Sequence, residues 1–110
     1  MRLVLTTVAK KADAQRLAKQ LVEKKLAACV NIVRIEQSVY RWKGKIQSTG
    51  EYLLLIKTIS PYRVIEEALH RLHQYELPEI LTIPIKEISV RYLGWLMGAK
   101  THKPQATTKK

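Results

Sequence analysis

The chain has 110 residues, of which 46% are hydrophobic, and 20 basic against 9 acidic residues give a formal net charge of +11. This length and composition fit one compact domain with a real hydrophobic core. The single cysteine, Cys29, excludes an internal disulfide, and no apolar run approaches the roughly 18 residues of a membrane-spanning helix. With no long apolar stretch after Met1, the sequence predicts a cytoplasmic protein without membrane insertion.

The first third of the chain changes its hydrophobic period twice. Residues 2–8 alternate β-branched and apolar side chains, which predicts a short strand. Residues 10–26 place apolar side chains at helical spacing, which predicts an amphipathic helix. Its buried stripe is Ala14, Leu17, Ala18, Leu21 and Val22. Residues 27–35 return to strand character.

A long antiparallel hairpin over residues 31–58 is the segment on which the rest of the chain is expected to pack. Gly44 lies at its tip, where a tight reversal needs a positive φ. Four consecutive apolar residues, 53–56, predict a central strand that is covered on both faces.

The second half of the chain predicts a helix, an edge strand and a short final helix. Ser60 and Pro61 mark a helix start, with Ser60 as the cap. The buried stripe of this helix is Val64, Ile65, Ala68, Leu69 and Leu72. A turn follows at 75–78, Pro84 favours an edge position or a bulge for a strand over 80–85, and Ser89 caps the last helix. The expected domain is 1–98, followed by a basic and disordered tail over 99–110.

The order β-α-β-β-α-β plus a C-terminal helix predicts an α+β, ferredoxin-like split βαβ fold with an antiparallel sheet. Two helices cover only one face of four strands, so an apolar second face needs another cover. We therefore expect a homo-oligomer. The aromatic residues proposed for its interface are Tyr40, Trp42, Tyr52 and Trp95.

Residues 73–80 concentrate the chemistry that the chain offers. His73, Glu76 and Glu79 could ligate copper or another divalent cation, although a surface or supporting histidine is the more common explanation of this spacing. Cys29 is either a soft metal ligand or a small buried hydrophobic residue. Lys57 ends an apolar strand and is expected to pair with Glu51 or Glu79. No GxSxG, P-loop or GxGxxG motif is present, so the sequence predicts no enzyme.

The sequence argues against nucleic acid as a specific partner. RNA-recognition domains share this topology, but they read bases with aromatic side chains on their central strands. The chain has no phenylalanine, and its central strand lacks the glycine-and-aromatic pattern. Unspecific phosphate contact through the lysine tail stays open and predicts binding that falls steeply with salt.

The chain closely resembles the CutA family of divalent-cation tolerance proteins over residues 2 to about 98. The resemblance rests on residues 5–7 (LTT), 25–31 (KLAACVN), 40–46 (YRWKGKI), 55–58 (LIKT), 73–80 (HQYELPEI) and 92–96 (YLGWL). It implies a tight homotrimer, similar in architecture to PII signalling proteins and associated with tolerance of copper and heavy metals, with no established enzymatic activity. Gln74 replaces the family's proline. Members credited with a copper site have cysteine at the position of Thr6 and histidine at that of Leu72.

The function that this resemblance implies is binding of a divalent metal or a small ligand in clefts between subunits. The expected cleft residues are Trp42, Glu51, Lys57 and Tyr75. A second interpretation is a PII-like scaffold or signalling module that binds an unidentified protein or an anionic ligand and has no metal role.

Overall fold

The computed structural model describes residues 1–98, and the predicted tail over 99–110 lies outside this range. The elements in chain order are β1 (Arg2–Val8), α1 (Lys11–Glu23), β2 (Cys29–Trp42), β3 (Lys45–Thr58), α2 (Tyr62–Leu72), β4 (Leu81–Pro84) and α3 (Val90–Leu96). This is the predicted β-α-β-β-α-β order followed by a C-terminal helix, so the ferredoxin-like fold is confirmed.

The four strands form one antiparallel sheet in the order β2-β3-β1-β4. β3 is therefore central, as its run of apolar residues predicted. β4 pairs only with β1 and is an edge strand that ends at Pro84. A proline has no backbone N–H to give to a second neighbour, so the predicted edge position is confirmed.

α1 and α2 pack on one side of the sheet and form the core with it. Side chains alternate between the two sides of a strand, and the residues that face the helices are almost fully buried. The core consists of Val4, Val8, Ala14, Leu17, Leu21, Ala27, Leu54, Ile56, Ile65 and Leu69. Two members of the predicted stripes, Val22 and Val64, are instead exposed because they lie at the outer margin of their helices.

The end of α1 and the start of α2 differ from the predicted ones. α1 ends at Glu23 because Lys25 takes a left-handed φ of 60°, and the Leu26 amide then bonds the Leu21 carbonyl at 2.9 Å. The predicted cap at Ser60 is wrong. Its hydroxyl donates to the Leu26 carbonyl at 3.3 Å, and the N-cap of α2 is Pro61, without a side-chain hydrogen bond.

The hairpin of β2 and β3 has a two-residue turn at its tip and a bulge along its length. Lys43 and Gly44 both have positive φ, 52° and 78°, which is the property that a type I′ turn requires. Farther along, the register passes from Ile35 opposite Glu51 to a pairing of residues 38 and 49, so two residues of β2 stand opposite Gly50 alone. A bulge of this kind bends a hairpin and increases its twist.

The side of the sheet that α1 and α2 leave uncovered is apolar, and we call it the open face. The registers place on it Leu3, Leu5, Val33, Leu53, Leu55, Leu81 and Ile83. Val33, Leu81 and Ile83 are 44%, 53% and 48% exposed. The leucines of β3 on this side are half-buried, so a single chain does not provide the full cover on both faces that the sequence predicted.

Candidate ligand-binding cleft

The hairpin and the segment after α2 enclose a cleft of about 390 Å³ on the side of the sheet away from the helices. We call it the acidic cleft. Three aromatic side chains, Tyr40, Trp42 and Tyr75, line it together with three carboxylates, those of Glu51, Glu76 and Glu79. Thr7 and Leu77 complete the lining, and no lysine or arginine belongs to it. In a protein of net charge +11, this is a local concentration of negative charge.

The Tyr75 hydroxyl joins the two walls of the acidic cleft. It donates a hydrogen bond to the Glu51 carboxylate at 2.8 Å, so the segment after α2 is tied to β3. Burial, together with this bond to Glu51, raises the pKa of the Tyr75 phenol far above its ordinary value. Tyr75 therefore acts as a neutral hydrogen-bond donor throughout the physiological range.

His73 lies behind the acidic cleft and has both ring nitrogens engaged. Its Nδ1 accepts from the Tyr75 amide at 2.9 Å, so this nitrogen carries no proton. Nε2 therefore carries the hydrogen and donates to the Thr7 carbonyl at 2.7 Å. A metal ion at His73 would have to displace one of these two bonds.

The neutral state of His73 predicts a loss of stability in mild acid. Desolvation by burial lowers the pKa of His73 from its ordinary value of 6.5. The unfolded chain then takes up a proton at a higher pH than the folded chain, so the free energy of unfolding falls as pH drops below about 6.5. Denaturant unfolding between pH 7.5 and 5 should show this fall, and it should be smaller in His73→Asn.

The matched control for this measurement is His70→Asn, which removes an exposed imidazole that lies 3.7 Å from Glu66 on α2. This variant should keep most of the acid dependence of the parent protein, because burial lowers the pKa of His73 more than the charge of His70 does. If the free energy of unfolding changed with pH in the same way in His73→Asn and in the parent protein, His73 would not be the source of the acid dependence.

The structure brings three of the four predicted cleft residues together and places the fourth, Lys57, elsewhere. Trp42, Glu51 and Tyr75 line the acidic cleft as a group. Lys57 does not, because its ammonium group donates to the Tyr92 hydroxyl at 3.3 Å and lies 5.5 Å from the centre of that ring. The predicted ion pair of Lys57 is therefore wrong.

Cys29 lies outside the acidic cleft. It is half-buried on β2 and stands opposite Lys57 in the register, four rows from the pairing of Leu53 with Thr7. The prediction that Cys29 lies on a strand is confirmed. The register of that strand places Cys29 away from the acidic cleft, which Glu76 and Glu79 line.

The proposed interface aromatics fall in three places. Tyr40 and Trp42 line the acidic cleft, whereas Tyr52 lies on the helix side of the sheet against the core. Trp95 stacks on Tyr92 within α3, with ring centres 5.7 Å apart. Sequence reasoning predicted an apolar open face from residues 53–56 but did not name its members on β1, β2 and β4. The run of Leu3, Val4 and Leu5 was a signal for them, since both sides of β1 are apolar.

In the described part of the chain, neither the acidic cleft nor the two positions suggested by the resemblance gathers a set of metal ligands. Thr6 is fully buried on the helix side, where its hydroxyl has no hydrogen-bond partner, and Leu72 packs against the core. These positions do not open into the cleft. Within residues 1–98, no three His, Cys, Asp or Glu side chains lie close enough together to hold a metal ion.

Comparison with known proteins gives one consistent result for this small α+β protein. The family model of the CutA1 divalent ion tolerance protein matches residues 2–99. The divalent-cation tolerance protein CutA of Thermus thermophilus is 46% identical over 94 residues, which cover 84% of this chain and 91% of that protein. The chloroplastic protein CutA 1 of rice is 44% identical over 97 residues, and the match spans 55% of its length.

Solved structures agree with the sequence matches. The Thermus thermophilus Cut A1 structure has a TM-score of 0.80 at 44% identity and covers 87% of this chain and 95% of its own. CutA from Synechococcus elongatus has a TM-score of 0.84 at 41% identity, with coverage of 89% and 88%. The fold is thus that of a ferredoxin-like domain, and the chain belongs to the CutA family of divalent-cation tolerance proteins. In the part of the chain from Met1 to Gly98, none of the helices has the length and hydropathy of a bilayer span.

Proposed function

We propose that this chain assembles as a homotrimer and that its acidic cleft binds a divalent cation, copper among them, or a small ligand where neighbouring subunits meet. The observation that carries the proposal is the set of three carboxylates, Glu51, Glu76 and Glu79, in one cleft without a basic residue in its lining. Within one chain the three carboxylates are not close enough together to hold an ion, so the proposal requires a neighbouring subunit to complete the site.

The open face supports the assembly. Exposed apolar patches of this kind on a soluble protein usually mark an interface, and burial stabilises by about 25 cal/mol per Å² of apolar surface. The likeness to the trimeric architecture of the family favours three copies. A neighbouring subunit could then supply the donors that one chain alone does not bring together.

The donor chemistry favours a hard or borderline cation. Carboxylate oxygens suit hard divalent ions, whereas soft copper(I) prefers sulfur ligands. Cys29 lies elsewhere, and both nitrogens of His73 are engaged. The carboxylates of the acidic cleft are therefore the proposed ligands, and His73 is proposed to hold the cleft wall.

Calorimetric titration of the purified protein with copper(II) and with zinc tests this proposal. The double variant Glu76→Gln and Glu79→Gln should weaken binding at least about tenfold, because it removes two of the three charges. His73→Asn removes no proposed ligand and should therefore weaken binding less than the double variant does.

The matched control is the double variant Glu67→Gln and Glu87→Gln, which removes two exposed carboxylates outside the cleft. It should bind like the parent protein. No heat with either metal, or equal losses in both double variants, would contradict the metal site.

A second candidate function is a PII-like scaffold that binds a protein through the hairpin. The exposed apolar side chains of Val39 and Ile46 near the tip favour it. No enzymatic activity is proposed, since the family description names divalent ion tolerance and no reaction. We also propose a cytoplasmic location, supported by the unpaired Cys29, which cell fractionation would test.

A further inference from the structure

A second cleft, of about 350 Å³, lies on the helix side of the sheet. It is lined by Lys11, Gln15, Ile32, Arg34 and Tyr52, and we call it the basic cleft. The acidic cleft contains Thr7 and Glu51, which belong to the opposite side of β1 and β3. The sheet therefore separates the two clefts, and the basic cleft is independent of the proposed metal site.

The walls of the basic cleft follow from the register and from helical spacing. Arg34 stands opposite Tyr52, and Ile32 is two rows farther along on the same side. α1 begins at Lys11, and Gln15 is four residues later, so both side chains lie on one face of the helix. The cleft is thus formed between the start of α1 and the middle of β2.

The charge of the basic cleft is not balanced by the protein. Across residues 1–98, the side chains of Lys11 and Arg34 form no ion pair and no hydrogen bond. The acid nearest in sequence to Lys11 on α1 is Asp13, which accepts a hydrogen bond from Arg16 at 2.9 Å. Two cations that share a concave surface create a positive potential, and an anion bound between them is stabilised.

The polar groups in the basic cleft match a phosphate group. A guanidinium can give two parallel hydrogen bonds to phosphate oxygens, while an ammonium acts as a point charge beside it. The Gln15 amide and the Tyr52 hydroxyl are further donors, and Ile32 offers an apolar contact. A volume near the lower end of the range for small-molecule pockets, about 300 to 1,000 Å³, fits a phosphate ester of modest size.

We propose that the basic cleft between α1 and β2 is a binding site for a small phosphate-bearing anion. Lys11 and Arg34 supply the charge, and Gln15 and Tyr52 orient the oxygens. One subunit contains the complete site.

Titration of the full-length protein with inorganic pyrophosphate, followed by amide NMR at low ionic strength, tests this site. Saturable shifts are expected at Ile32, Arg34 and Tyr52. The double variant Lys11→Gln and Arg34→Gln should weaken binding at least about tenfold, since both charged partners of the anion are lost. Acetate at the same concentrations should bind more weakly than pyrophosphate.

The matched control is Arg41→Gln with Lys45→Gln, which removes one arginine and one lysine from the exposed hairpin tip. Its affinity should stay within about twofold of the parent protein. Equal weakening in both variants, shifts outside the basic cleft, or no saturation at millimolar pyrophosphate would each overturn the proposal. An unchanged denaturation midpoint in both variants excludes unfolding as the cause of a loss.

Discussion

Replacing Leu54 by alanine is expected to lower the free energy of unfolding by about 2 to 5 kcal/mol. Leu54 lies on the central strand, is fully buried and belongs to the core beneath both helices. The substitution removes apolar contacts and leaves a cavity that the rigid sheet cannot close. Denaturant unfolding at one fixed protein concentration measures the loss, because assembly makes apparent stability depend on concentration.

Leu77→Ala is the matched control, since this leucine is 73% exposed. It should change the free energy of unfolding by no more than about 0.5 kcal/mol. If Leu54→Ala were as mild as this control, β3 would not be the centre of the core.

Leu81→Asp is expected to dissociate the assembly while leaving the subunit folded. Leu81 is 53% exposed in the single chain and lies on the open face at the edge strand. If the open face is buried between subunits, each copy loses the roughly 1.5 to 3 kcal/mol of a buried leucine. Each copy must also bury the new carboxylate, and the desolvation of this charge costs more than the lost burial of the leucine. Light scattering at micromolar concentration should then show a smaller species than the parent protein.

The control for this experiment is Val64→Asp, at a site that is 43% exposed on the outer margin of α2. It introduces the same charge on the helix side and should leave the oligomeric state unchanged. A monomeric parent protein, or a Leu81→Asp variant of unchanged size, would refute assembly through the open face.

Local sequence pattern was sufficient for the order of the elements and for the central position of β3. Period-two and period-3.6 spacing reflect which side chains are buried, and this information is contained in short windows. The ends of the helices were harder to predict from local sequence. Lys25 adopts a left-handed φ that is more typical of glycine, and Ser60 bonds to Leu26, 34 residues away.

In the candidate site, too, features formed by adjacent residues could be predicted from sequence, whereas contacts between residues far apart in the chain could not. The segment 73–80 and the hairpin tip were recognised because their chemistry is concentrated in a few adjacent residues. The hydrogen bond of His73 to Thr7 spans 66 residues, and that of Lys57 to Tyr92 spans 35. Pairings at such separations depend on the register of the whole sheet, which no local window contains.

The bulge opposite Gly50 has a consequence for how the length of the hairpin can change. Beyond it, Tyr40 and Trp42 lie on one side of β2 and line the acidic cleft. Ile35 and Ser38 lie on the same side of the sheet although they are three residues apart, so deleting one residue at 36 or 37 would remove the bulge and leave both aromatic rings on the cleft side. β2 can therefore lose one residue at the bulge and keep the cleft aromatics in place, whereas in the regular ladder beyond the bulge only changes of two residues preserve the alternation.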